Sequence, residues 1–228
     1  MSSILVAYGT GEGQTAKVAT YVAEGLASRG FEATAVDVRD VDGTAVRAAD
    51  AVVVGASIHV GSHQDAVVAF VREHRGTLAA APSAFFQVSL SSAAQDPARR
   101  AEADGYVDEF REATGWEPDV VGAFAGALRY SEYGFLKRLM MRKIAAEATG
   151  DTDASRDYEY TDWTAVDAFV ARIEELAAAA RDGDDAFPRL DRGLEPDPVP
   201  EADADAAAEG DGERTEAADA ERDSAPPG

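Results

Sequence analysis

Short apolar runs alternate with stretches of helical periodicity along most of this chain. The first run, Ile4-Leu5-Val6-Ala7-Tyr8, leads through a glycine-rich turn into a segment from Thr15 to Ser28 with helical spacing. Phe31 to Val38 alternates apolar and polar positions, the pattern of a second strand, and Asp50 to Ser57 gives a third, dense in valine. Ala66, Val67, Phe70 and Val71 then fall at helical spacing within His63 to His74, and Ser83 to Leu90, introduced by Pro82, reads as a fourth strand. A long charged amphipathic helix follows from Asp96 to Gly115, then a fifth strand from Val120 to Leu128. The last helix runs from Thr161 to Arg181, capped at Thr161 or Asp162 and stopped at Gly183. Five short strands alternating with helices predict an α/β fold with a doubly wound five-stranded parallel sheet, which binds ligands at the carboxyl ends of its strands.

Two segments lie outside that plan. Between Arg129 and Asp157 sits an insertion in which Phe135, Leu136, Leu139, Met140 and Ile144 are interleaved with Lys137, Arg138, Arg142 and Lys143, the one basic cluster of the sequence. From Asp182 to Gly228, Asp, Glu, Ala, Gly and Pro dominate and large apolar residues nearly vanish, a composition that predicts a disordered acidic tail. The expected organisation is one domain over residues 1–181, with the insertion at about 129–157, and the tail over 182–228.

Charge and composition narrow the chemistry. The net charge of −22 argues against nucleic-acid binding. Among 21 basic residues only Lys17, Lys137 and Lys143 are lysines, and the acidic bias runs through the body of the chain, for example at Glu102, Asp104, Asp108, Glu109 and Glu112. Such a surface suits a high-salt cytoplasm, where screening removes its self-repulsion. With no cysteine, thiol catalysis, disulfides and Cys-ligated metal centres are excluded. No run of about 18 apolar residues spans a bilayer, and the N-terminus lacks a signal segment, so a cytoplasmic protein is expected.

The turn after the first strand, Tyr8-Gly9-Thr10-Gly11-Glu12-Gly13-Gln14-Thr15, is where the chemistry gathers. A strand, a glycine-rich turn and a helix start leave backbone N–H groups unpaired around one point, with the positive end of the helix aimed there, a natural phosphate site. A nucleoside-triphosphate loop would carry Gly-Lys-Ser/Thr, but Gly13 is followed by Gln14 and Thr15. A dinucleotide fingerprint is weakened too, because Gln14 stands where its third glycine belongs and Asp37 is only a partial offset. Hydroxyls at Thr10 and Thr15 without a cation suit a terminal phosphate monoester. An ordinary strand-to-helix turn capped by threonine is the bland alternative.

Two further loops meet the same sheet edge, Gly55 to His63 and Val88 to Ala93. Both are rich in small residues and hydroxyls, with no nucleophile beside a base, the lining of a flat polar ring rather than of a hydrolytic site. His63 and His74 are too far apart in sequence to pair on one helix face for a metal, so surface or capping roles are expected. Trp116 and Trp163, beside a strand start and a helix start, are expected in the core.

The loop with Thr10, Gly13 and Thr15 resembles the flavodoxin signature. Gly55-Ala56-Ser57-Ile58-His59-Val60-Gly61, Pro82-Ser83-Ala84-Phe85-Phe86, Gly126-Ala127-Leu128-Arg129-Tyr130 and Tyr160-Thr161-Asp162-Trp163 together resemble the menaquinone-dependent protoporphyrinogen dehydrogenase family of flavodoxin-like enzymes. The resemblance covers roughly residues 3–178. It implies a flavodoxin-like sheet of order 2-1-3-4-5 and flavin mononucleotide (FMN) as cofactor, with Thr10, Gly11, Glu12, Gly13, Gln14 and Thr15 holding the phosphate. Ser57, Ile58, His59, Val60 and Gly61 would form one loop flanking the ring, and Ser89, Leu90, Ser91, Ser92 and Ala93 the other. Neither loop carries the Trp or Tyr that commonly stacks on the ring, and His59 stands where the family often has Arg. The implied activity is dehydrogenation of protoporphyrinogen IX in heme biosynthesis with menaquinone as acceptor, a flavin-centred reaction needing no catalytic side chain. Arg129, Tyr130, Lys137, Arg138, Arg142 and Lys143 would meet the substrate or a membrane surface, giving peripheral contact at the inner face of the cell membrane. Two other classes stay open, an electron-carrier flavodoxin and a flavin-free binding domain.

Overall fold

The structure, a computed structural model, describes residues 1–59, 61–93, 97–128 and 157–181. Five strands form the central parallel sheet: β1 (Ser3–Tyr8), β2 (Glu32–Asp37), β3 (Ala51–His59), β5 (Ser83–Ser89) and β6 (Val120–Ala125). Their order is β2-β1-β3-β5-β6, with the short β4 (Ser62–His63) antiparallel to the end of β3. Counting only the five long strands, this is the expected 2-1-3-4-5 arrangement.

The sheet takes this form because its inner strands are apolar on both faces. Val52, Val53 and Val54 of β3 are fully buried, as are Phe85 and Phe86 of β5, the continuous run that a parallel strand covered on both sides requires. One face packs on α1 (Gln14–Ser28) and the final helix α5 (Trp163–Arg181), through Val18, Val22, Leu26, Phe169 and Val170. The other packs on α2 (Gly43–Ala48), α3 (Asp65–Ala80) and α4 (Pro97–Thr114), through Val46, Val67, Phe70, Leu78 and Phe110.

Three expectations change, and the cap of the last helix falls on one of its two candidates. The fifth strand does not run unbroken from Val120 to Leu128; it stops at Ala125, and after Gly126 the chain turns into β7 (Ala127–Leu128), which pairs antiparallel with β8 (Tyr158–Glu159). The Gly126 N–H makes the last bond of the β5–β6 ladder, to the Ser89 carbonyl at 3.0 Å, but its C=O accepts from the Tyr160 N–H at 3.1 Å, which draws the chain away towards β8. His63 is not at the surface. Only 9% exposed, it packs on Phe110 and Phe85 with ring centroids 4.7 and 5.7 Å apart, so the third helix begins after it, at Asp65. Trp116 is buried as expected, but Trp163 is only half-buried and lies 4.7 Å from Tyr21 on the outer surface of α1 and α5. The cap of α5 is Asp162, whose Oδ1 accepts from the Thr164 N–H at 2.8 Å, because the Thr161 hydroxyl is engaged elsewhere. The insertion, with Arg129, Tyr130, Lys137, Arg138, Arg142 and Lys143, and the acidic tail lie outside the described residues.

Candidate functional site

The carboxyl ends of β1, β3, β5 and β6 surround one cleft, lined by Thr10, Gly11, Glu12, Gln14, Thr15, Ser57, Ile58, His59, Val88, Ser89, Leu90, Gly126 and Ala127. Its volume is about 90 Å³. That is room for a tetrahedral anion inside, with any flat ring system lying across the mouth.

The β1–α1 turn is shaped by two glycines. A Cβ on Gly9 would meet Val67 Cγ2 at 2.3 Å and Gln64 Oε1 at 2.4 Å, so the turn descends onto the start of α3 only because that position has no side chain. Gly13 takes φ +91°, the left-handed region, and this aims the start of α1 back into the cleft. The Gly13 N–H donates to Thr10 Oγ1 at 2.9 Å, which leaves the Thr10 hydroxyl proton free to donate outward. The first intrahelical bond runs from the Lys17 N–H to the Gly13 carbonyl, so the N–H groups of Gln14, Thr15 and Ala16 have no acceptor within the helix. No acidic side chain occupies the first turn to compete for them.

The polar atoms left over point to what belongs in the cleft. Thr15 Oγ1 and Ser57 Oγ are buried and have no hydrogen-bond partner among the described residues. A buried hydroxyl without a partner costs about 1–3 kcal/mol, and here two of them line a cleft that also offers free N–H donors. No Lys or Arg lines the cleft among the described residues. The donor set is therefore neutral, hydroxyl and amide, and fits a phosphate monoester held at a helix N-terminus.

The other predicted residues divide. Gln14 is 5% exposed, and its side chain does not face the cleft's anion point. Its Nε2 donates to Thr161 Oγ1 at 2.9 Å, leaving its backbone N–H as the contribution to the site. Ser57, Ile58 and His59 are strand rather than loop, because β3 folds back into β4 and pairs Ile58 with His63 and His59 with Ser62. Gly61, at φ +76°, makes that turn, and Val60 lies outside the described residues. Ser89 and Ser92 are buried against each other with Oγ atoms 2.8 Å apart, and the Ser92 N–H also donates to Ser89 Oγ. Leu90 reaches the cleft; Ser91 and Ser92, in a single 3-10 turn with Ala93, do not line it. Val88, the start of the second predicted loop, lines it, and so do Gly126 and Ala127, which sequence reasoning did not place there; the turn at Gly126 was the available signal. Asp37, the partial dinucleotide feature, is bound to Arg39 through both carboxylate oxygens at 2.8 and 2.7 Å, and those hydrogen bonds hold its carboxyl below the usual range.

Behind the cleft two groups titrate abnormally. Burial pushes His63 down to about 4, although its hydrogen bond to Gln87 Oε1 at 3.2 Å works the other way. Burial pushes the Glu159 carboxyl up, but hydrogen bonds from Lys17, Gln14 and Trp163 outweigh it and hold the group below its ordinary value. Among the described residues no group of His, Asp and Glu could hold a metal ion, and no helix is long and apolar enough to cross a membrane.

Fold and cleft together define a flavodoxin-like α/β protein whose first strand-to-helix turn opens onto the cleft. Residues 5–155 match the model of the flavodoxin domain family, a span that contains all three predicted loops. The chain is 35% identical over 173 residues to protoporphyrinogen IX dehydrogenase [quinone] of Escherichia coli K12, an alignment covering 75% of this chain and 94% of that protein. It is 34% identical over 176 residues to the Leishmania major protein of the same name, covering 77% of this chain and 76% of that one. The chain belongs to this protoporphyrinogen IX dehydrogenase family of flavodoxin-like proteins. Among solved structures it is similar to the flavodoxin of Streptococcus pneumoniae TIGR4, with a TM-score of 0.47, 16% identity, and coverage of 78% of this chain and 99% of that one.

Proposed function

We propose that this chain is an FMN-dependent protoporphyrinogen IX dehydrogenase that passes electrons to a quinone, menaquinone in particular. The observation that carries the reading is 35% identity across 94% of a relative of that name. The neutral donor set of the cleft supports it, because it suits the phosphate of a mononucleotide and has neither the lysine of a triphosphate loop nor a free acid for a dinucleotide ribose. Residues 1–181 form the FMN-binding unit on this reading, and the insertion at 129–157 meets porphyrinogen, quinone or a membrane surface through Arg129, Tyr130, Lys137, Arg138, Arg142 and Lys143.

When bound, FMN supplies two-electron transfer from the porphyrinogen to the quinone. The chain's own part is to bind and orient. Thr10 and Thr15 donate hydroxyl protons to the phosphate, joined by the N–H groups of Gln14, Thr15 and Ala16. Ser57 Oγ, Ile58 and His59 face the cofactor from β3, and Leu90, Gly126 and Ala127 close the opposite wall.

The test is a visible spectrum of protein purified in high salt and reconstituted with FMN, followed by an assay of porphyrinogen oxidation with a menaquinone analogue. Flavin bands near roughly 370 and 450 nm and quinone-dependent porphyrin formation are expected. No flavin uptake overturns the reading; flavin with electron transfer only to a protein partner replaces it by the electron-carrier function.

A further inference from the structure

The anchor loop is held in place from a direction the sequence does not suggest. Three consecutive residues before α5, Glu159-Tyr160-Thr161, lace together three walls of the cleft. The Thr161 hydroxyl donates to the Ala125 carbonyl at the end of β6, at 2.7 Å, and accepts from Gln14 Nε2 at 2.9 Å. The Tyr160 N–H donates to the Gly126 carbonyl at 3.1 Å, and the Gly126 N–H reaches the Ser89 carbonyl at the end of β5 at 3.0 Å. Glu159 Oε1 accepts from Gln14 Nε2 at 3.4 Å, from Lys17 Nζ at 2.7 Å and from Trp163 Nε1 at 3.1 Å. Gln14 and Thr161 are 5% and 8% exposed, so their bond is shielded from water and specific in direction.

We infer that Thr161 is a positioning residue for the anchor: its hydroxyl fixes the Gln14 side chain and so sets the direction in which the first N–H groups of α1 face a bound phosphate. Gln14 is the first residue of α1, and the rotation of this turn decides where the N–H groups of Gln14, Thr15 and Ala16 point. Without Thr161, Gln14 Nε2 keeps among the described residues only the 3.4 Å bond to Glu159. Thr161 touches no ligand itself, since it does not line the cleft. Its effect therefore falls on recognition of the phosphate, not of the flat ring that lies at the other end. The inference rests on the FMN reading above.

The experiment compares FMN with riboflavin, which lacks the phosphate, by fluorescence titration of the full chain. Thr161→Val removes the hydroxyl at nearly equal volume. We expect its Kd for FMN to rise about tenfold, the scale of one buried hydrogen bond, with Kd for riboflavin unchanged. Thr161→Ser restores FMN binding to within about twofold. Because Thr161 acts through Gln14, the double variant Gln14→Ala with Thr161→Val binds FMN no more weakly than Gln14→Ala alone. Equal losses for FMN and riboflavin, or additive losses in the double variant, overturn the inference and leave Thr161 a structural residue only. Unchanged FMN binding in Thr161→Val overturns it outright. Wild-type protein with no preference for FMN over riboflavin overturns the anchor reading beneath it, which separates the two failures.

Discussion

The two ends of the cleft treat their hydroxyls in opposite ways. At the anchor end Thr15 Oγ1 is buried with nothing to bind among the described residues, as is Ser57 Oγ on the neighbouring β3, while Thr10 accepts the Gly13 N–H and keeps its own proton to donate. At the opposite wall Ser89 and Ser92 spend their hydroxyls on each other, and the adjoining hairpin is pinned by His63, whose Nε2 donates to Gln87 while Gln87 Nε2 donates to the Ala103 carbonyl at 2.5 Å. One end leaves hydrogen bonds for a ligand to complete; the other has completed its own and serves as scaffold. The same residue type, serine or threonine at the carboxyl edge of the sheet, thus has two roles. Its partners decide which.

The largest test of that contrast is at the scaffold end. His63 is neutral in the fold down to about pH 4 but has an ordinary value of 6.5 when unfolded. Its folded value is depressed, so the unfolded state binds the extra proton first, and the stability His63 contributes is fully present above pH 6.5 and is lost as pH falls from 6.5 towards 4. The loss amounts to about 3 kcal/mol. Denaturant unfolding across that range measures it, and His63→Gln should remove most of the slope; an equal slope in the variant would place the titrating group elsewhere.

Next comes Thr15→Val at the anchor end. It should weaken FMN binding roughly 10- to 100-fold, the loss of one charge-assisted hydrogen bond, yet leave the ligand-free protein as stable as wild type or more stable by about 1 kcal/mol, since a buried unpartnered hydroxyl disappears. Calorimetric titration with FMN and thermal melts of the free protein read the two sides. A fall in stability without loss of affinity would mean that Thr15 is scaffold.

The smallest effect belongs to Ser92→Ala. Ser89 Oγ keeps the Ser92 N–H but loses the hydroxyl, so stability should drop by no more than about 1 kcal/mol. FMN affinity, measured by fluorescence quenching, should move less than about threefold. A larger change would bring the Ser89–Ser92 pair into direct contact with the cofactor and dissolve the contrast between the two ends.

How much of this was legible beforehand follows from how far apart the partners are in the chain. The anchor is local. Gly9 to Thr15 is a strand end, a turn and a helix start within a few residues, and the bond from Gly13 to Thr10 spans only three positions. Alternation of apolar runs with helical spacing likewise gave the five strands and the sheet class, since each strand's burial is written in its own residues. His63 was misjudged because a lone histidine beside a polar stretch carries no mark of the Phe85 and Phe110 rings that enclose it. The break at Gly126 was missed because an apolar run continues through it.

By itself, then, the sequence determined the alternating architecture, the glycine-rich turn at the cleft and the family, because periodicity and loop chemistry are properties of neighbours along the chain. Only the tertiary structure decided which hydroxyls remain free for a ligand, that His63 is buried neutral, and that Thr161 braces Gln14 across 147 positions. Satisfaction of a polar group depends on every element that packs against it, and those elements come together only when the sheet is assembled.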